Sequence, residues 1–277
     1  MAAEGVFYAE DSDAVMNRAM EKARITIAYF EDSLANPKPD QYSFSAKAGL
    51  REGETVEHIW LGDVVMEKDG TLYGTISNHP VNLKNLSMGS KVLVERKDIS
   101  DWMIIEAGRL IGGYTLRAYR AGLEMAERED FDQSLGILID YGVDYYPHDS
   151  STPEGAILCL EDAYTNKDID AAVGCKDFLR EAGHLLARIP DMPTTGDIIN
   201  STAETLEVAF RAHFEENPMP SFEGIKRAFP EKEFEDDDTV MVTEICYLPD
   251  GELTMDKIWV YRVDGVWKVG PPANEDA

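Results

Sequence analysis

The stretch TVMVTEICYLPDGELTMDKIWVYRVDGVWKVG, residues 239–270, decides how the second half of the chain folds. Pro249-Asp250-Gly251 and Asp264-Gly265 cut it into three runs rich in Val, Ile, Thr, Tyr and Trp. Asp-Gly accepts the positive φ angles of a tight hairpin turn, so the stretch reads as an antiparallel meander. Ile258, Val260 and Arg262 alternate with Trp259, Tyr261 and Val263. One side of this sheet can therefore face helices and the other solvent or a partner.

Upstream, STAETLEVAFRAHFEENP (201–218) predicts a helix capped by Ser201 or Thr202, with Glu204 close behind. The segment 153–189 predicts two or three helices with a break at Thr165 to Asp168. Helices followed by a curved antiparallel sheet make an α+β domain. KEFEDDD, residues 232–238, reads as an exposed acidic loop.

YGVDYYPHDSSTPEG (141–155) crowds Gly, Pro, Ser and Asp together and reads as a linker. At 277 residues, two domains fit the usual domain size. We assign them to residues 1–145 and 153–277, joined near 142–153.

In the first half, Val15, Met16, Ala19, Met20, Ala23, Ile27, Phe30 and Leu34 share one helical face, with Asp11 or Ser12 as N-cap. The helix stops before Asn36-Pro37. Five β-type runs follow, at 41–50, 55–67, 71–77, 91–96 and 100–107, and Lys68-Asp69-Gly70-Thr71 is a hairpin signal. Helices are expected from Tyr114 to Met125 and from Asp130 to Asp140. The first domain is thus a second α+β module with a mostly antiparallel sheet.

The order and spacing of Phe44, Lys47, Glu57-His58-Ile59-Trp60, Gly74, Ile76, Asn78, Pro80, Gly89, Ile99-Ser100-Asp101-Trp102, Gly112-Gly113-Tyr114-Thr115 and Arg117 are specific. Over residues 10 to 130 they resemble the bacterial family known as domain of unknown function 2314. That resemblance implies a compact α+β module with no established chemistry. In the second half, Leu160-Glu161-Asp162-Ala163-Tyr164, Asp168 to Phe178 and the closing Trp267-Lys268-Val269 are similar to the NTF2-like, or SnoaL-like, superfamily. The similarity implies a cone of helices on a curved antiparallel sheet. Its members include both enzymes and binding modules, so it does not choose between them.

The candidate binding residues lie in the first domain: His58, Trp60, Asn78, Asp101, Trp102, Thr115 and Arg117. His58 and Trp60 share a strand face. A His beside a Trp can bind a ligand or move a proton, or it can be structural. Gly112 and Gly113 permit a tight turn into the helix at Tyr114, leaving backbone N–H groups where an anion could sit. Thr115 adds a hydroxyl and Arg117 a bidentate donor, unless Arg117 pairs with Asp101 or Glu57. Asn78-His79-Pro80 reads first as a turn. In the second domain the acid–base candidates are Asp162, Asp168, Asp177, Glu181 and His184, with Tyr164 lining or filling the cone. Glu181 and His184 at i, i+3 form either a dyad or a solvated helix face.

Hydrophobic residues at 44% and charged residues at 29% describe a soluble globular chain. The net charge of −27, from 26 basic and 53 acidic residues, excludes nucleic acid as a direct ligand, because phosphate neutralisation needs a basic surface. No membrane span or secretory signal is read, and the odd, scattered Cys159, Cys175 and Cys246 suit reduced thiols in a cytoplasm. No cofactor or metal motif is found. The expected function is a non-enzymatic binding or accessory protein, such as an immunity-type inhibitor whose acidic surface captures a basic protein. The alternative is a small-molecule carrier or a hydrolase- or isomerase-type enzyme using the second domain's cone. Homodimerisation through the C-terminal sheet is a further expectation.

Overall fold

A computed structural model describes residues 14–67 and 71–272. The expected caps Asp11 and Ser12, and turn residues 68–70, lie outside the described residues. The chain divides into two compact units, one ending at Tyr145 and the other beginning at Tyr146. Both are α+β.

In the first unit, α1 (Ala14–Ile25) and α2 (Ile27–Ala35) precede β1 (Gln41–Glu52), β2 (Thr55–Met66), β3 (Leu72–Ile76), β4 (Lys91–Val94), β5 (Ile99–Glu106) and β6 (Arg109–Gly112). The helices α3 (Tyr114–Ala121) and α4 (Met125–Leu135) follow. The strands form one antiparallel sheet in the order β4-β3-β2-β1-β5-β6. On one face Ala46, Ala48, Ile59, Leu61, Trp102 and Ile104 pack in a core with Ala23, Ile27 and Phe30 of the first two helices. The period-2 alternation of the strands delivers this set to a single side.

The single N-terminal helix expected from periodicity is two helices. Thr26 breaks it: the residue is fully buried, and its hydroxyl donates to the Lys22 carbonyl at 2.8 Å. Such a bond competes with the helical ladder and bends the chain. Strand β6 is also a departure, since Arg109–Gly112 is too short to show a period. It pairs with β5 through a turn whose residues Ala107 and Gly108 both have positive φ.

In the second unit, α5 (Pro153–Thr165), α6 (Ile169–Gly174), α7 (Phe178–Ala187) and α8 (Gly196–Glu216) precede β7 (Lys226–Asp236), β8 (Thr239–Tyr247), β9 (Leu253–Val263) and β10 (Val266–Gly270). The sheet is an antiparallel meander in the order β10-β9-β8-β7. Thr152 caps α5 by accepting from the Gly155 N–H at 3.0 Å, and Pro153 takes a position whose missing N–H costs nothing. Helix α8 begins at Gly196, not near Ser201, with Asp197 placed to favour the positive helix start.

Two further expectations are corrected. KEFEDDD is largely strand: Lys232 faces Val242 and Phe234 faces Val240 across the β7–β8 ladder. Its acids remain exposed because β7 is an edge strand, where charge discourages further pairing. The middle of β9 is closed on both sides, since Trp259, Val260 and Tyr261 are all buried. Among the described residues, no helix is long and apolar enough to cross a membrane.

Candidate functional site

In the first unit the sheet register lines up Trp60, Lys47 and Asp101 across β2, β1 and β5. Asp101 is fully buried at a bulge in β5. Its carboxylate accepts four hydrogen bonds: from the backbone N–H groups of Trp102 (2.8 Å), Tyr114 (3.1 Å) and Thr115 (2.7 Å), and from the Thr115 hydroxyl (2.6 Å). The start of α3 is therefore capped by a carboxylate from another strand, and Gly113, the residue in the cap position, contributes no side chain. This corrects the expectation of an open anion site, because those N–H groups are already spent on Asp101. Gly112 is required here: its φ is +67°, and a Cβ would come within 2.4 Å of the Trp102 carbonyl.

Lys47 donates to the Thr115 hydroxyl at 3.3 Å, and its ammonium lies 5.8 Å from the centre of the Trp60 ring. Burial lowers the Lys47 pKa from the ordinary lysine value, with Asp101 opposing that shift. Burial also pushes the Asp101 carboxyl up, against the Thr115 hydrogen bonds and the Lys47 charge. His58 Nδ1 lies 2.8 Å from the Ser100 hydroxyl. Asn78 accepts from the Trp60 N–H at 3.0 Å, so its side chain holds the turn to the strand.

Asp101 and Thr115 thus meet directly, Lys47 links them to Trp60, and Asn78 holds Trp60's backbone. His58 shares the sheet face but joins Ser100. Trp102 does not come to this face: it is buried on the other side, where its indole N–H donates to the Ala23 carbonyl at 3.0 Å. Arg117 is taken up by backbone carbonyls. Its guanidinium clamps the carbonyls of Gly112 (2.9 Å), Leu110 (2.5 Å) and Asp140. A network that is filled from within the chain fixes structure and leaves little for a ligand.

The second unit differs. A cavity of about 470 Å³ opens between α5 and the sheet, walled by Ile157, Leu160, Tyr164, Phe222 and Ile258. Into this apolar lining project Glu161, Glu244, Cys246 and Asp256. Glu161 belongs to a helix in which nine of thirteen residues are buried, so it has no solvent face to retreat to. Glu244 sits in β8, where every residue from Thr239 to Cys246 is buried. Arg227 of β7 makes an ion pair with Glu161 and approaches Glu244 at 3.8 Å.

Burial, with Glu244 alongside, pushes the Glu161 carboxyl up to about 8. Glu244 is raised as well, again by burial, and Arg227 opposes it. One cation for two buried acids leaves the pair short of charge, so at neutral pH it holds a proton. Burial and the same two acids push the Cys246 thiol up to about 12. Glu161, Glu244 and Cys246 present ligand atoms within 4.8 Å of one another. A divalent ion there would meet a protonated thiol and the adjacent Arg227 guanidinium, so the set suits a proton or a single positive charge better than a metal.

The acid–base candidates read from sequence lie elsewhere. Asp168 and Asp177 cap α6 and α7. Asp162 lies 2.5 Å from His148 at the surface. Glu181 and His184 form no dyad: Glu181 approaches Lys176 at 3.7 Å, and His184 Nδ1 lies 3.0 Å from the Pro272 carbonyl. Tyr164 does line the cavity. Glu161 and Glu244 were missed as a site, although each carried a signal. Ile157, Leu160, Glu161 and Tyr164 fall at i, i+3, i+4 and i+7, placing an acid inside an apolar helical stripe. Another depression, of about 370 Å³, is bordered by Lys167, Arg211 and Glu215, none of them buried.

Residues 13–139 match the family described as "Uncharacterized protein conserved in bacteria (DUF2314)". The resemblance read from Lys47, Glu57 to Trp60, Asp101 and Gly112 to Thr115 is therefore borne out. The chain is 35% identical over 146 residues to a Neisseria meningitidis serogroup B protein named "Putative ankyrin repeat protein", covering 50% of this chain and 56% of that one. It is 37% identical over 79 residues to the Escherichia coli K12 "Uncharacterized protein YegJ", covering 28% of this chain and 51% of that one. The chain thus spans about half the length of the curated relatives it matches. A crystal structure titled "Putative NTF2-like transpeptidase", from Campylobacter jejuni, aligns with 44% of this chain and 99% of its own, at 14% identity and a TM-score of 0.25.

Two outcomes are expected. Asp101→Ala leaves three backbone N–H groups and the Thr115 hydroxyl without their acceptor and Lys47 without its neighbouring negative charge, and should lower unfolding free energy by about 3 to 5 kcal/mol. Urea denaturation measures this, and an unchanged midpoint would contradict the structural role. The Glu161 carboxyl is raised in the folded state, so the native chain binds the extra proton and stability falls as pH rises from the ordinary glutamate range through about 8. Melting temperature followed against pH should show that decline in the parent chain and a shallower one in Glu161→Gln.

Proposed function

We propose that the protein is a bacterial binding protein that holds a small apolar molecule in the cavity of its second unit, anchored by Glu161 and Glu244. The observation that carries this reading is the coincidence of a cavity of about 470 Å³ with two buried carboxyl groups that share one arginine. Ligand sites are typically concave, mostly apolar and furnished with a few convergent polar groups, and perturbed acids cluster in them. A carboxyl that keeps its proton at neutral pH is also equipped for general acid work, which is how hydrolase- or isomerase-type chemistry would arise here. Binding requires only the cavity and its anchor.

The charge supports a second reading, capture of a basic protein partner in the manner of an immunity-type inhibitor. The excess of 53 acidic over 26 basic residues continues onto an exposed edge strand at Glu233, Glu235 and Asp236. Such a surface raises association rates with cationic partners and makes them salt-sensitive. Recovery of a basic partner at low salt, lost at high salt, would support it.

For the cavity, the neutral fluorophore Nile red is the direct probe. Its emission should rise and shift to the blue with the full chain, and this response should fall severalfold in Thr254→Trp, which places an indole at the cavity wall. An identical response from parent and variant would overturn the assignment of the cavity.

A further inference from the structure

We propose that the cavity is gated by pH: a proton shared by Glu161 and Glu244 holds α5 against β8, and its loss in mild alkali lets these two walls part and the guest leave. The proposal rests on the cavity being a ligand site and adds how that site is regulated.

The pair joins the two walls. Glu161 belongs to α5 and Glu244 to β8, and both border the cavity. Each is about 4% exposed, and one oxygen of each carboxyl lies with the Cys246 sulfur in a cluster no wider than 4.8 Å. Arg227 reaches both acids from β7. With one proton, the pair carries a single negative charge, which the guanidinium cancels. Without it, two carboxylates face each other beside one cation in a space closed to water. Like charges at that separation repel strongly where solvent is excluded. Nine of the thirteen residues of α5 are buried, so Glu161 has no solvent face to swing to, and relief has to come from movement of the helix itself. At the other end of α5, Glu154 keeps a cation of its own, Lys232 at 2.9 Å. The helix is thus held there and parts from the sheet at the Glu161 end, beside the cavity.

The charged and titratable groups around the pair favour the same switch. Asp256 of β9 stands opposite Glu244 across the β8–β9 ladder, and Asp162 adjoins Glu161 on α5. Both add negative charge that favours keeping the proton. Lys257 borders the cavity and pairs with Glu233 at 3.6 Å. Arg227 keeps its charge throughout, because a guanidinium does not deprotonate in a protein. Burial and the two acids push the Cys246 thiol up to about 12, and burial raises the Tyr164 phenol, so neither changes charge in mild alkali. The Glu161 carboxyl, pushed up to about 8 by burial and by Glu244, is the group that does. A guest that binds only the protonated arrangement loses affinity about tenfold for each pH unit above that point. Protonation is then the local event, and the seating of α5 on the sheet is the two-state element it biases.

The experiment follows Nile red binding by the full chain between about pH 6 and pH 9.5, with far-UV circular dichroism recorded alongside. The dissociation constant should be level below about pH 7 and about tenfold higher at pH 9 than at pH 7. Circular dichroism should stay constant over that range, and affinity should return when the pH is brought back to 7. Glu161→Gln leaves one acid for one arginine, so its affinity, whatever the level at pH 7, should not change with pH. Glu244→Gln, made from the opposite wall, should behave alike, so the outcome does not depend on one variant folding. Equal affinity of the parent chain at pH 7 and pH 9, or a loss that persists in both variants, would overturn the gate while leaving the cavity a ligand site. So would a loss that follows the disappearance of the helical signal, which would mean unfolding. Nile red left unbound at every pH would remove the ligand site as well.

Discussion

A carboxyl group taken out of water has to be given hydrogen-bond donors, a cation or a proton, and the two units of this chain meet that constraint in opposite ways. Asp101 is given four donors by its own surroundings, two of them backbone N–H groups at the start of α3. Glu161 and Glu244 share one arginine. The first arrangement is met by hydrogen bonds, and the second by one cation and a proton.

Each arrangement follows from local geometry. Asp101 can reach the helix because Gly112 and Gly113 both take left-handed conformations, turning the chain sharply after β6 and aiming the first N–H groups of α3 back at β5. The same turn places Arg117 over the carbonyls of Leu110 and Gly112. In the second unit, α5 lies so deep that Glu154 and Glu161, seven residues apart on one side, both face the sheet. Each meets a β7 cation, Lys232 at 2.9 Å from Glu154 and Arg227 beside Glu161. The difference is that Glu154 has a cation of its own, whereas Arg227 also stands opposite Glu244.

Much of the fold is legible in the residues. Alternation and Asp-Gly turns place the meander after residue 239, and apolar steps of three and four place α5 and α7. What escapes is context. Thr26 reads as an ordinary helical residue until its hydroxyl is seen bonded to Lys22. KEFEDDD has the composition of a loop, and only its pairing with Val240 and Val242 makes it an edge strand. The site follows the same pattern. Asp101 and Thr115, read from sequence as part of a binding surface, meet in the structure, yet their hydrogen bonds are spent inside the unit. Trp102 lies one position along a strand from Asp101, which is enough to put it on the other face. Glu161 and Glu244 come from segments 83 residues apart by number (244 − 161), so only tertiary structure pairs them.

The most direct measurement is a carbon-13 NMR titration of the full chain labelled at its glutamate carboxyl carbons. One resonance should move with a midpoint near 8 and be missing from the spectrum of Glu161→Gln. If every glutamate instead titrates in the ordinary range around 4.3, the buried pair holds no proton at neutral pH, and the account of Glu161 and Glu244 as a proton-sharing pair beside one arginine fails.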